Sequence, residues 1–216
     1  MIQTALPLTE PGPDLPQGVI FRSRAFAMQE QAALLEDVRA VTTAAPLARL
    51  QTKGGGLTSA AMTNCGVAGW WSEAKGYRYV TAHPVTGRPW PEFPPRFLAA
   101  VRKIARDSLW PDFAPDACLI NFYEPGAKMG LHQDKDEKDF AQPIITVCLG
   151  DDADFLIGGF ARGDKTKALI VRSGDALIMG GASRMLFHGI RKIYPGTSPL
   201  PGVGGRFSLT FRKALS

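Results

Sequence analysis

The sequence predicts an α+β, mainly β domain in which antiparallel sheets of sandwich or small-barrel type are backed by N-terminal helices. Three observations predict it. The chain has 216 residues, 45% of them hydrophobic, a size that buries roughly 70% of its unfolded surface around one core. Strong helix formers at helical spacing are confined to the N-terminal half. From Ala117 onward the texture changes to short apolar runs broken by Gly, Asp and Pro, which is the signature of closely spaced strands.

The elements follow in order. Residues 1–18 carry Pro7, Pro11, Pro13 and Pro16, which remove backbone donors and favour extended chain, so an extended tail is expected there and a single domain over 19–216. From Phe26 to Ala45 the spacing of Leu34, Leu35, Val38 and Val41 predicts a helix. A second helix is expected from Pro95, a tolerated first-turn proline, through PRFLAAVRKIARDSLW, with Phe97, Val101, Ile104 and Ala105 on one stripe. The strand runs are CLINFY, PIITVCLG, ADFLIGGF, KALIVRSGDALIMGG and GRFSLTFRK, and LIVRSGDALIM reads as two strands joined at Ser173-Gly174-Asp175.

Composition excludes several classes. The chain has no apolar run of membrane-spanning length and no basic, apolar export leader at its start, so a soluble, cytoplasmic protein without a membrane partner is expected. Its three cysteines, Cys65, Cys118 and Cys148, are odd in number and widely spaced, which suits neither a disulfide framework nor a zinc knuckle. The formal net charge of +5 averages opposite blocks: −1 over residues 1–50, +5 over 51–110, −7 over 111–160 and +8 over 161–216. Basic blocks suit an anionic partner, and an acidic block suits a cation site or a solvated loop.

Only three histidines occur, and one stands in Leu131-His132-Gln133-Asp134. Alternation along extended chain turns His132 and Asp134 to the same face, and His188 offers a third ligand. Two imidazoles and a carboxylate on one face of an octahedron leave three positions open, the arrangement of non-haem Fe(II) oxygenases. His-x-Asp alone is a weak signal, because isolated histidines are commonly satisfied surface or core residues.

In the last strand run, alternation separates Phe207, Leu209 and Phe211 from Arg206, Ser208, Thr210 and Arg212. Two readings fit: an edge strand whose arginines face water, or two interior guanidinium groups. An interior guanidinium needs an acidic partner. The last block holds only Asp164 and Asp175, so a bound dicarboxylate is the sharper expectation. The run Cys118–Tyr123 turns Leu119, Asn121 and Tyr123 to one face, where an amide and a phenol can orient carboxylate oxygens or serve as a cap and an interface tyrosine.

NxYxPGAK followed by LHQDKDE, a distant FHGI and a terminal RFSLTFR resemble, in order and spacing from about Thr52 to Arg212, the AlkB family of Fe(II)- and 2-oxoglutarate-dependent DNA dealkylating dioxygenases. The resemblance implies a double-stranded β-helix (jelly-roll) core over about 115–213, with His132, Asp134 and His188 as catalytic iron ligands. It also implies that Asn121, Tyr123, Arg206 and Arg212 hold 2-oxoglutarate, with Leu119, Met129 and Thr146 beside it. Ser208 departs from the family pattern, which has asparagine there, and its shorter hydroxyl is a weaker candidate contact.

Residues 51–90 hold seven glycines, three of the four tryptophans, and Lys53, Lys75, Arg78 and Arg88. Rings interleaved with cations suit single-stranded or flipped nucleotides; the competing reading is a loop over the barrel with Trp70 or Trp71 as core anchors. By resemblance this segment is a nucleotide-recognition lid, in which Met62, Trp70 and Tyr77 meet the base and Thr52 makes a backbone contact. Asp136, Arg162 and Lys135 stand around the same base. His83 reads as a loop histidine. The implied activity is oxidative demethylation of bases such as 1-methyladenine and 3-methylcytosine in DNA, with RNA as a second substrate. It consumes 2-oxoglutarate and O2, releases succinate, CO2 and formaldehyde, and is carried out by a monomer. The rivals are a 2-oxoglutarate-dependent hydroxylase of a protein or small molecule, and a silent nucleic-acid-binding domain.

Overall fold

The computed structural model describes residues 14–215. Most of the tail expected over residues 1–18 lies outside the described residues. The first strand, β1 (Val19–Arg22), is followed by helix α1 (Met28–Ala44), two residues inside the expected start, with the Ala27 N–H donating to Glu30 Oε2 at 2.7 Å. Next come β2 (Ala61–Gly66), β3 (Gly69–Glu73), β4 (Gly76–Val80) and α2 (Pro95–Ala105). Helix α2 ends five residues short of Trp110, where the Ser108 hydroxyl instead accepts from the Trp110 N–H.

The remaining strands are β5 (Ala117–Tyr123), β6 (Met129–His132), β7 (Ile144–Gly150), β8 (Asp152–Ile157), β9 (Lys167–Val171), β10 (Ala176–Met179), β11 (His188–Tyr194) and β12 (Arg206–Arg212). A six-stranded sheet of order β1-β10-β7-β12-β5-β2 faces a four-stranded sheet of order β6-β11-β8-β9, and all pairs in both are antiparallel. Two sheets with interdigitated inner faces form the expected jelly-roll sandwich.

Alternation assigns the two faces of the large sheet. Its outer face carries Ile120, Ile145, Val147, Leu209 and Phe211, which pack with Leu34, Leu35 and Val38 of α1 and Phe97, Val101 and Ile104 of α2. Its inner face packs Leu119, Tyr123, Leu177 and Met179 against Ile157, Val171, Ile190 and Ile193 of the small sheet. The site lies between the sheets, and the helices close the opposite side.

The two strands expected to join at Ser173-Gly174-Asp175 are present as β9 and β10, but they do not pair with each other: β9 pairs with β8 in the small sheet, and β10 pairs with β7 and β1 in the large one. The turn is pinned as a crossover between sheets. Asp175 accepts from the Arg172 N–H at 2.7 Å and the Arg24 N–H at 2.8 Å, while Gly174, at φ +83°, leaves no room for a Cβ beside Gln31. The segment 51–90 is not only a lid. Strand β2 is an edge of the core sheet, with Met62 opposite Asn121, and only β3–β4 form a separate two-stranded hairpin.

Candidate functional site

Strand β6 ends on His132 directly opposite His188 at the start of β11, which brings the two rings to 4.4 Å between centroids. Asp134, just beyond β6, places Oδ1 3.8 Å from His132 Nε2 and Oδ2 3.6 Å from His188 Nε2. Each histidine turns Nδ1 to a backbone carbonyl: Gly130 O at 3.0 Å for His132, and Leu186 O at 3.1 Å for His188. An Nδ1–H donated to a carbonyl leaves the Nε2 lone pair for a metal. The three ligand atoms lie within 4.8 Å of one another.

The electrostatics suit a cation. Burial, reinforced by the neighbouring His132, pushes the His188 imidazole down to about 4, so its neutral, ligating form is the one present at neutral pH. Burial alone would favour the neutral acid at Asp134. The Arg212 guanidinium and the two imidazoles outweigh it and hold the carboxyl well below the usual carboxylate range.

Beside this triad, β12 turns Arg206, Ser208, Thr210 and Arg212 into a cavity of about 500 Å³, as alternation predicts. Arg206 is 1% exposed. It donates Nη1 to Asp151 O at 2.9 Å and Val171 O at 3.2 Å, its Nε has no hydrogen-bond partner, and it pairs with no carboxylate among the described residues. Asn121 Oδ1 is likewise buried without a partner. Polar groups buried in this state call for a ligand. A dianionic carboxylate fits them, and the edge-strand reading of β12 falls because the strand lies between β5 and β7.

Arg212 differs. A bound dicarboxylate is the sharper expectation for it, and the fold adds protein carboxylates from the acidic block that the count within the last block left out. Asp134 Oδ1 accepts from its Nη2 at 3.0 Å. Glu137 Oε1 stands 3.3 Å from its Nε, an ion-pair distance without hydrogen-bond alignment, so Nε and Nη1 still lack hydrogen bonds. Glu137 is a residue that sequence reasoning missed. It accepts from the Tyr79 hydroxyl at 2.6 Å and from buried Arg184 at 2.9 Å, and Arg184 also donates to the Asp134 carbonyl. The only sequence signal was its place in LHQDKDE.

On the other side of the cavity, Trp70 of β3 and Tyr77 of β4 stack at 5.3 Å and 26°. Trp70 Nε1 donates to Asp136 Oδ2 at 2.8 Å, and Lys53 Nζ sits 5.0 Å from the Tyr77 centroid. Met62 is buried, while Lys135 and Arg162 are exposed at the rim. Arg162 donates to Leu131 O and lies over the Phe187 ring. Thr52 lines the cavity, but its N–H donates to Gly56 O at 2.8 Å, so an internal loop bond occupies the backbone donor. Trp71 instead faces His83 and Trp90, which leaves His83 a ring in a loop aromatic cluster. Every candidate residue read from the sequence lines this one cavity, including Leu119, Tyr123, Met129 and Thr146. Sequence reasoning missed the apolar lining of Ile144, Phe155, Leu177, Met179 and Ile190, which reads as ordinary core.

The chain matches the 2OG-Fe(II) oxygenase superfamily over residues 19–212. It is 45% identical to "Alpha-ketoglutarate-dependent dioxygenase AlkB" of Escherichia coli (strain K12), over 91% of this chain and 89% of that protein. It is 44% identical to "Alpha-ketoglutarate-dependent dioxygenase AlkB homolog" of Caulobacter vibrioides, over 97% of this chain and 91% of that protein. The solved structure titled "The structure of OsALKBH1" superposes with a TM-score of 0.79 at 29% identity, covering 92% of this chain and 99% of that one.

Proposed function

The chain belongs to the 2OG-Fe(II) oxygenase superfamily, in its AlkB family, and from that premise we propose that it oxidatively dealkylates N-alkylated bases such as 1-methyladenine and 3-methylcytosine in DNA. It is a 2-oxoglutarate-dependent dioxygenase that uses Fe(II) and O2. The observation that carries the substrate reading is the sharing of one cavity by the His132–Asp134–His188 triad, the unpaired Arg206 and the stacked Trp70–Tyr77 rings.

Bound together, Fe(II), 2-oxoglutarate and O2 supply the oxidation, which yields succinate, CO2 and a hydroxylated N-alkyl carbon that leaves as formaldehyde. The chain's part is binding, orientation and charge. His132 and His188 present Nε2, and Asp134 its carboxylate, to hold the metal. Arg206, which pairs with no carboxylate among the described residues, would take one carboxylate of the co-substrate through its unpartnered Nε. Arg212 is already shared with Asp134 and directs its free Nη1 at the second. Asn121 and Tyr123 complete the cradle, with Ser208 opposite Asn121 in the β12–β5 register.

The base slot is built from rings and one fixed carboxylate. Trp70 occupies Oδ2 of Asp136, which leaves Oδ1 to accept from an exocyclic amine of adenine or cytosine. The Trp70–Tyr77 stack presents one outer ring face to the flipped base, Met62 forms the floor, and Thr52, Lys135 and Arg162 stand where the strand enters. We read it as a monomer acting in the cytoplasm; its three cysteines are free and buried, which suits a reducing compartment. No described helix is long and apolar enough to cross a membrane.

The test incubates the protein with Fe(II), 2-oxoglutarate, ascorbate and an oligonucleotide bearing one 3-methylcytosine, as DNA and in parallel as RNA. Formaldehyde, succinate and unmodified cytosine are expected together. Succinate without base repair would instead favour a hydroxylase of a protein or small molecule.

A further inference from the structure

We propose that Phe160 is a stacking platform for the base next to the target base, so that the enzyme grips a strand rather than a lone nucleotide. The inference rests on the nucleobase reading of the cavity and deepens it. Phe160 is 64% exposed. A single exposed apolar residue is ordinary on a protein surface; what distinguishes this one is the rigid turn that displays it next to Phe187 and Arg162, which line the cavity.

The turn follows β8 and is tied at both ends. The Gly158 N–H donates to Phe187 O at 2.7 Å, and the Phe187 N–H donates to Gly159 O at 2.9 Å, which fastens its start to a residue that lines the cavity. On the other side of Phe160, the Ala161 N–H donates to Asp164 Oδ2 at 2.9 Å, and the Asp164 N–H returns to Ala161 O at 3.1 Å. The carboxylate of Asp164 closes over Gly159 so tightly that a Cβ there would stand 2.1 Å from Oδ2. Arg162, two residues beyond Phe160, is itself in the cavity wall and holds Leu131 O and the Phe187 ring. The backbone around Phe160 is thus fixed, while its own ring is left to solvent.

Charge agrees with this geometry. In GGFARGDKTK the one acid, Asp164, is consumed by the turn, and Arg162 and Lys165 are exposed. A fixed ring flanked by cations is the combination that holds single-stranded nucleic acid, since the ring takes the face of a base and the cations meet phosphates. A preformed platform also loses little freedom on binding. A small-molecule substrate, enclosed in the cavity, would have no use for it.

The test compares wild type with Phe160→Ala and Phe160→Trp, using a single-stranded oligonucleotide with one 3-methylcytosine. Affinity is read by fluorescence anisotropy with Mn(II) in place of Fe(II). Stacking of one base is worth about 1–3 kcal/mol, so Phe160→Ala is expected to bind roughly 5- to 150-fold more weakly, and Phe160→Trp to recover. A 2-aminopurine placed on either side of the lesion is expected to be quenched at one position by wild type and not by Phe160→Ala. The preference for oligonucleotide over methylated mononucleotide, as a ratio of kcat/KM, falls by a similar factor. Unchanged affinity with unchanged quenching at both positions overturns the proposal, as does an equal loss on oligonucleotide and mononucleotide. A wild type that neither binds nor demethylates any oligonucleotide overturns the nucleobase reading itself, and this inference with it.

Discussion

Arg212 donates to Oδ1 of Asp134 at 3.0 Å, so the last residue of β12 and the carboxylate between the two imidazoles are a buried ion pair. The metal triad and the anion cradle are therefore not independent. A change at either residue alters the charge at the other.

Arg212→Gln should weaken both functions at once. It removes the guanidinium that keeps Asp134 ionised and that Glu137 also faces, a loss that costs about 3–5 kcal/mol when one member of a buried pair is deleted. Denaturant unfolding should show the drop in midpoint. Isothermal titration should show weaker 2-oxoglutarate binding in the presence of Mn(II). Wild-type affinity in this variant would remove Arg212 from the cradle.

Asp134→Asn should abolish high-affinity Fe(II) binding while the fold persists, because asparagine keeps the shape and loses the charge that offsets the metal. Equilibrium dialysis against Fe(II) under anaerobic conditions measures this directly. Retention of stoichiometric metal would sink the triad assignment.

Glu137→Ala should destabilise the protein by about 3–5 kcal/mol, since it leaves two buried guanidinium groups, those of Arg184 and Arg212, without their shared carboxylate. Glu137→Gln, which can still accept from Tyr79, should cost less. Urea midpoints at constant slope resolve the order of the two variants; equal stabilities would show that the carboxylate charge is not what matters.

Trp70 has two separable roles. Trp70→Phe retains a ring but loses the 2.8 Å bond to Asp136, so oligonucleotide binding should weaken modestly, while Trp70→Ala should lose the stack and weaken it roughly 5- to 150-fold. Anisotropy titrations distinguish them. If both variants bound as wild type does, Trp70 would be a core anchor only.

At high pH the protein should unfold as Tyr79 and Tyr123 ionise. Burial pushes both phenols above the usual value of 10.0. A group whose pKa is raised by folding contributes stability that is complete below its unfolded pKa and is lost as pH rises toward the folded one. The share of tyrosinate absorbance that belongs to these two of the four tyrosines should therefore appear together with the change in far-ultraviolet circular dichroism, above pH 10. Full, reversible tyrosine ionisation near pH 10 with the fold intact would contradict the burial of these two phenols.

Much of the site was legible in the chain because it rests on local periodicity. Alternation in β12 and β5 decides which side chains share a face, and the two-residue spacing of His132 and Asp134 turns both inward. Alternation puts Arg206, Ser208 and Arg212 on one face of their strand and Asn121 and Tyr123 on one face of theirs, and the family resemblance is what implied that the two faces form one cradle. Less was legible around β9 and β10: the two strands and their joint at Ser173-Gly174-Asp175 could be read, but not that they lie in different sheets, with Asp175 bound to the Arg24 N–H in the turn after β1.

The sequence by itself determined the faces of the strands, the ligand types and the sign of charge carried by each block. Only the tertiary structure decided that His188 meets His132 across β6 and β11, that Glu137 and Asp134 balance Arg212, and that Arg206 pairs with no carboxylate among the described residues. The physical reason is range. Side-chain direction follows from a repeat of two residues, whereas a buried charge is settled by whichever distant strand or loop packs against it.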